Sequence, residues 1–145
     1  MFYLKTFGAL VIGLYLGMKI NMDLVNANMN IFPPPEGFDW TDAVATEAYL
    51  SSLPASAFVL VILAHLGQAF FGGWLAARLA PGYPMRMAMT IGILSMVGGI
   101  MNQMMIPLPA WTWAEIPFYV VVAYGAGMLE VNRRGGKPYA KDTLK

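Results

Sequence analysis

The chain has 145 residues, of which 58% are hydrophobic and 12% charged, with a formal net charge of +1. Soluble domains average about half apolar and a quarter charged, so this composition predicts lipid rather than water as the main solvent. With no cysteine and a single histidine, the chain excludes disulfides, thiolate zinc and iron–sulfur centres, covalently held haem, and any centre needing two imidazoles from one chain.

Four apolar stretches are expected to cross the membrane as helices, at about 2–22, 54–79, 84–106 and 110–131. Each is close to the ~20 residues that span ~30 Å of hydrocarbon. The first begins with an aromatic and basic anchor, Phe2, Tyr3 and Lys5. Lys5, the apolar run Thr6 to Met18 and the sequence Val25-Asn26-Ala27 imitate a secretory signal peptide. Cleavage would leave three spans and put the basic tail opposite the end it otherwise shares, so the segment is read as a retained first helix. Ala9, Gly13 and Gly17 form a small-residue ladder that admits a neighbouring helix. The helix is expected to continue past Asp23 toward Phe32. Lys19 and Asp23 are four apart and can pair. Counted from Lys5 at the helical rise, Lys19 falls ~21 Å along the helix, which predicts a position near the outer edge of the hydrocarbon, where its side chain can snorkel outward.

Pro33-Pro34-Pro35 stops this helix, because successive prolines lack donors and favour extended backbone. An external segment at 32–53 follows, with a short amphipathic helix from Asp39 to Ser52, capped by Asp39 or Thr41. It could lie in the membrane interface or fold over the bundle.

The second span carries the most informative polar pair. His65 lies near mid-membrane, and Gln68 and Gly72 follow on the same face. His65 could relay protons, ligate a metal or haem, or bind a quinone carbonyl; a neutral histidine bonded to Gln68 or a neighbouring helix is the structural alternative. Ala69, Gly73 and Ala77 form a second packing ladder, and Gly92, Ser95, Gly98 and Gly99 offer close approach on the third span. Methionine is dense there: Met85, Met87, Met89, Met96, Met101, Met104 and Met105. Stacked thioethers suit copper(I), but methionine also fills irregular apolar gaps, and no methionine- or histidine-rich external tail accompanies them. No metal site is expected. The fourth span opens with Trp111, Trp113, Pro117 and Tyr119 at an interface and closes with Glu130 beside Arg133 and Arg134, an interfacial ion network.

Loop charges sort by side. Lys5, Arg78, Arg86 and the basic tail alternate with connections that carry Glu36, Asp39, Asp42, Glu47 and Glu115 but no Lys or Arg. The positive-inside rule then places both termini in the cytoplasm. The domains expected are a transmembrane unit at 1–132 and a cytoplasmic polar tail at 133–145.

The order Phe32-Pro33-Pro34-Pro35, Leu53-Pro54, Ala64-His65-Leu66-Gly67-Gln68-Ala69-Phe70-Phe71-Gly72-Gly73-Trp74, and Met105-Ile106-Pro107-Leu108-Pro109-Ala110-Trp111 resembles a group of small bacterial hypothetical membrane proteins. In that group a first helix ends in a proline-rich stretch, followed by an acidic external segment and a glycine-rich second helix. The resemblance implies a bacterial inner (cytoplasmic) membrane protein with this layout and carries no residue role. Small multidrug exporters need an embedded glutamate in the first helix, where Lys19 and Asp23 stand instead. No nucleotide loop, HExxH or GxSxG motif is present, so no enzyme is expected.

The sequence therefore predicts an all-α bundle of four transmembrane helices with a short external helix. Its expected role is a non-catalytic accessory or structural subunit of a larger membrane complex. The alternative is a homo-oligomeric channel or transporter using Lys19, Asp23, His65 and Gln68. His65 and Gln68 are also the candidates for cofactor contact. No cofactor of its own is expected, while haem, quinone or lipid could be met at a subunit interface. Lipid and other membrane subunits are the expected partners, and no basic patch suits nucleic acid. Gly13, Gly17, Ala69, Gly73, Ala77 and Gly99 are the expected packing positions.

Overall fold

The computed structural model describes residues 1–136; the expected tail from Lys137 onward lies outside the described residues. Helix α1 spans Phe2–Ile31, α2 Ala43–Ser52, α3 Ala55–Leu79 and α4 Pro84–Met105. A 3-10 helix at Ala110–Glu115 then leads into α5, Ile116–Arg133. Four of these segments are long and apolar enough to cross a membrane, which makes this a multi-pass membrane protein with an all-helical bundle.

Local chemistry explains the boundaries. The Phe32 amide closes α1 on the Asn28 carbonyl at 2.9 Å, and the prolines prevent a further turn. The cap of α2 is neither Asp39 nor Thr41 but Asp42, whose Oδ1 accepts from the Val44 and Ala45 amides at 3.0 Å each. Asp39 is instead turned onto Thr41, accepting from its hydroxyl at 2.7 Å and its amide at 2.8 Å. Those two bonds, the hydroxyl's first, hold the Asp39 carboxyl below its usual range. The fourth span also differs from the single helix expected. Pro117 has no N–H to give to the carbonyl of Trp113, so regular α-hydrogen bonding starts only at the proline and the preceding turn tightens to 3-10.

Packing divides the molecule into a core of α3, α4 and α5, with α1 laid along the outside of α3. The α1–α3 seam is set by glycine. A Cβ at Gly13 would lie 2.6 Å from the Gly72 carbonyl oxygen, and one at Gly17 would lie 2.6 Å from that of Gln68. Backbones this close gain dispersion contact that larger side chains would prevent. The second ladder faces α4: Ala69 and Ala77 are fully buried, and Gly73 sits over Ala88. Gly99 leaves room for the Tyr119 ring of α5. Gly98, in contrast, has no atom within 4 Å of a Cβ position, so it belongs to the lipid-facing side and not to the packing set.

Helix α2 folds back over one end of the bundle rather than presenting one continuous apolar face. The Tyr49 hydroxyl donates to the Phe32 carbonyl at 2.7 Å, and Trp40 packs edge to face with Phe38 and Tyr49, which are tilted against each other. Burial raises the Tyr49 phenol above its ordinary pKa, and Leu50 turns inward while Val44 is left exposed. The opposite, basic end is closed by the short turn before α4. There Tyr83 takes a left-handed φ of 53°, supported by the Phe2 ring and the Arg86 guanidinium.

Candidate functional site

Two polar layers cross the apolar interior. The deeper one joins three helices near their middles: Asn21 Nδ2 of α1 donates to Gln68 Oε1 of α3 at 2.8 Å, and Gln68 Nε2 reaches Ser95 Oγ of α4 at 3.3 Å. In an apolar surround each bond is worth more than at a surface, because neither partner has water to fall back on. The second layer lies toward the α2 end. His65 Nδ1 stands 3.3 and 3.2 Å from the two oxygens of Glu115. Gln103 Nε2 donates to Glu115 Oε1 at 3.3 Å, and Thr112 Oγ1 donates to Gln103 Oε1 at 2.9 Å.

Glu115 is 2% exposed, although it ends a connecting segment. The 3-10 turn and Pro117 bring it inside, and the buried Tyr119 ring one turn later lies against the same carboxylate. The imidazole tautomer decides which group donates in the His65–Glu115 contact, and the bonds from His65 and Gln103 are what offset the burial of the acid. A void of about 10 Å³ between His65, Gln103, Thr112 and Glu115 has the size of one water.

Above this layer, beneath α2, lies a cavity of about 270 Å³. Asn21 and Asn28 of α1, Phe58 and His65 of α3, Asn102 of α4, and Trp40 and Tyr49 from the external segment line it. Its polar groups are incompletely used. Asn21 Oδ1 and Asn28 Oδ1 are buried without a hydrogen-bond partner, and Asn28 as a whole is only 8% exposed.

Lys19 and Asp23 pair as expected, with Nζ 2.6 Å from Oδ1 and 2.7 Å from Oδ2. The pair is on the outer surface of α1, its side chains 58% and 57% exposed. It is therefore not assembled with His65 and Gln68. Nor do those two bond to each other: Gln68 serves the deeper layer and His65 the upper one. At the basic end Glu130 receives Arg133 and Arg134, with Arg78 Nη1 at 3.6 Å. Arg134 Nη2 also caps α3, donating to the Ala77 and Ala80 carbonyls at 2.7 and 2.9 Å.

Sequence reasoning missed Glu115, Asn21, Asn28, Gln103 and Thr112 as members of the interior. Glu115 looks like a loop acid beside two tryptophans. The legible signal was its lack of any nearby Lys or Arg, with Gln103 and Thr112 available on the preceding hairpin. Comparisons with family models, curated proteins and solved structures find no match to this chain.

Proposed function

We propose that this chain is a non-catalytic integral membrane subunit of a bacterial inner membrane, packed through the outer face of α1 against a larger membrane protein assembly. The observation that carries this reading is the depth of the Lys19–Asp23 pair. Gly17 lies against the Gln68 backbone near the middle of α3, and Asn21 bonds to the Gln68 side chain. Lys19 and Asp23 flank Asn21, so both fall within roughly 6 Å along the axis of the bundle's mid-height. This is deeper than the sequence alone predicts, because the first turn of α1 overhangs the end of α3 to reach Tyr83.

A charged pair on an outer surface at that depth would face hydrocarbon. Lys and Asp each cost several kcal/mol at a bilayer centre, and pairing offsets only part of this. A polar or charged surface of another membrane subunit removes the remaining cost, and the side chains of α1 are arranged to meet one. The glycine seam that fixes α1 on α3 holds the pair in place for such a contact.

Purification from native membranes in a mild detergent tests the proposal. The expected result is co-purification of a different membrane protein in fixed stoichiometry, lost on the double substitution Lys19→Leu with Asp23→Leu. A symmetric assembly of this chain alone, carrying ions or solutes in vesicles, would instead establish the channel or transporter alternative. Retention of the foreign partner by the double variant would remove the ion pair from the argument.

A further inference from the structure

At the basic end of the bundle one carboxylate serves three guanidiniums, and it does not serve them equally. Arg133 Nε donates to Glu130 Oε2 at 2.7 Å and Arg133 Nη2 to Oε1, while Arg134 Nε donates to Oε1 at 2.6 Å. Arg134 is only 9% exposed and also gives Nη2 to the Ala77 and Ala80 carbonyls. Arg78 comes third. Its Nη1 stands 3.6 Å from Oε2, near enough to feel the charge but beyond hydrogen-bond length. Among the described residues the Arg78 guanidinium donates no hydrogen bond, and its side chain is 43% exposed. Five N–H donors in a planar fork are thus left over. The half-exposed Arg133 approaches the same Glu130 oxygen, so the two guanidiniums are neighbours.

The level of this cluster is set by the helices that carry it. Helix α3 ends at Leu79, α4 starts at Pro84 and α5 ends at Arg133, so it lies where three spans leave the hydrocarbon. Leu79 and Leu129, in the last turns of α3 and α5, are exposed apolar residues next in the chain to Arg78 and Glu130.

We propose that Arg78, with Arg133 beside it, binds the phosphodiester of an anionic phospholipid from the leaflet at this end. A planar guanidinium matches two phosphate oxygens at once, with both charge and geometry in its favour. The added negative charge offsets the crowding of like charges around Glu130. Basic groups between helices at the level of the headgroups are suited to anionic lipid, and the exposed leucines give its acyl chains apolar surface. A soluble anion would use the guanidinium and leave the leucines unused. This inference does not depend on the subunit role, because the site is built from α3 and α5 and not from the outer face of α1.

The test is native mass spectrometry and thermal unfolding of the purified full chain in a neutral detergent. The probes are dioctanoyl phosphatidylglycerol, its phosphatidylcholine counterpart and inorganic phosphate. The expected result is saturable retention of one phosphatidylglycerol per chain and a raised thermal midpoint, both weakened by salt, with phosphatidylcholine bound about tenfold less tightly. Arg78→Gln should lower the affinity about fivefold, the worth of one basic residue beside an anionic headgroup. Without lipid its thermal midpoint should stay close to the parent's, since no hydrogen bond is lost. Lys5→Gln removes the same charge outside the cluster and should leave binding nearly unchanged. If Arg78→Gln does not fold, Arg78→Lys keeps the charge near Glu130, loses the fork, and should still weaken binding severalfold. Equal affinity for the two lipids would overturn the proposal, as would unchanged binding in a folded Arg78 variant. Equal losses in Lys5→Gln and Arg78→Gln would show diffuse attraction in place of a site. A midpoint raised as far by inorganic phosphate at the same concentration would make a free anion, not a lipid, the ligand.

Discussion

Glu115 is the residue whose environment most constrains the others. Its carboxyl is the shared partner of His65 Nδ1 and Gln103 Nε2, and Gln103 in turn accepts from Thr112. Glu115→Leu would leave the half-buried His65 imidazole and the buried Gln103 amide without this partner, each an unmet group worth about 1–3 kcal/mol. The expected loss of stability is about 2–4 kcal/mol, seen as a lowered thermal midpoint in detergent. His65→Gln should be far milder, because a glutamine amide can bond to Glu115 in the imidazole's place. Replacing both partners, His65→Leu with Glu115→Leu, should be less damaging than Glu115→Leu alone, since the acid and the imidazole paired with it vanish together. A double variant as unstable as the sum of its singles would mean that the two side chains do not interact energetically. His65 stood out in the sequence as the only histidine. Its partner did not, because depth in a membrane is set by the turn that precedes α5, and no periodicity reports where a 3-10 segment folds inward.

At the scale of elements, the helices themselves were readable: apolar length, prolines and glycines mark α1, α3 and α4 to within a residue or two. The small-residue ladders were readable as well, because a helix that must approach another backbone has few residue types to use. What the pattern could not tell was which small residue faces a neighbour. Gly73 meets Ala88 while Gly98 meets nothing, yet both stand beside another small residue in an apolar helix. The register of α1 against α3 was hidden for a related reason, since a count along α1 from Lys5 cannot show that its first turn overhangs the end of α3 to reach Tyr83. The seam itself yields a graded expectation. Gly13→Leu should displace α1 from α3 most strongly, since even a Cβ would overlap the Gly72 carbonyl and the Ala76 methyl. Gly73→Leu should also impair assembly, as its Cβ would lie 3.3 Å from the Ala88 carbonyl before the rest of the side chain is added. Val59→Leu, on a residue 46% exposed, should be neutral. Cross-linking of cysteine pairs across the α1–α3 seam and recovery of folded protein measure the order; equal behaviour of Gly13→Leu and Val59→Leu would show that α1 is not held by this contact.

For the whole molecule, the fold gathers charge by end. Arg78, Arg133 and Arg134 surround Glu130, and Arg86 stacks on Tyr83 at the same end. Glu36, Asp39, Asp42 and Glu47 occupy the opposite end without a Lys or Arg among them. Two details of the structure bear on whether this division fixes orientation. Glu115 is buried with His65 and so drops out of the acidic loops, and Glu130 partly neutralises the basic end. Neither weakens the expectation, because orientation follows the placement of Lys and Arg and depends little on acids. The basic end should therefore face the cytoplasm and α2 the periplasm. Single cysteines at Ser51 and Asn132, both exposed and at opposite ends, report this directly in a chain that has no other thiol. In intact spheroplasts a membrane-impermeant maleimide should label Ser51→Cys and leave Asn132→Cys unlabelled until the membrane is opened. The opposite pattern would invert the molecule, and equal labelling at both positions would mean that the chain inserts both ways and that its charge asymmetry is too small to choose.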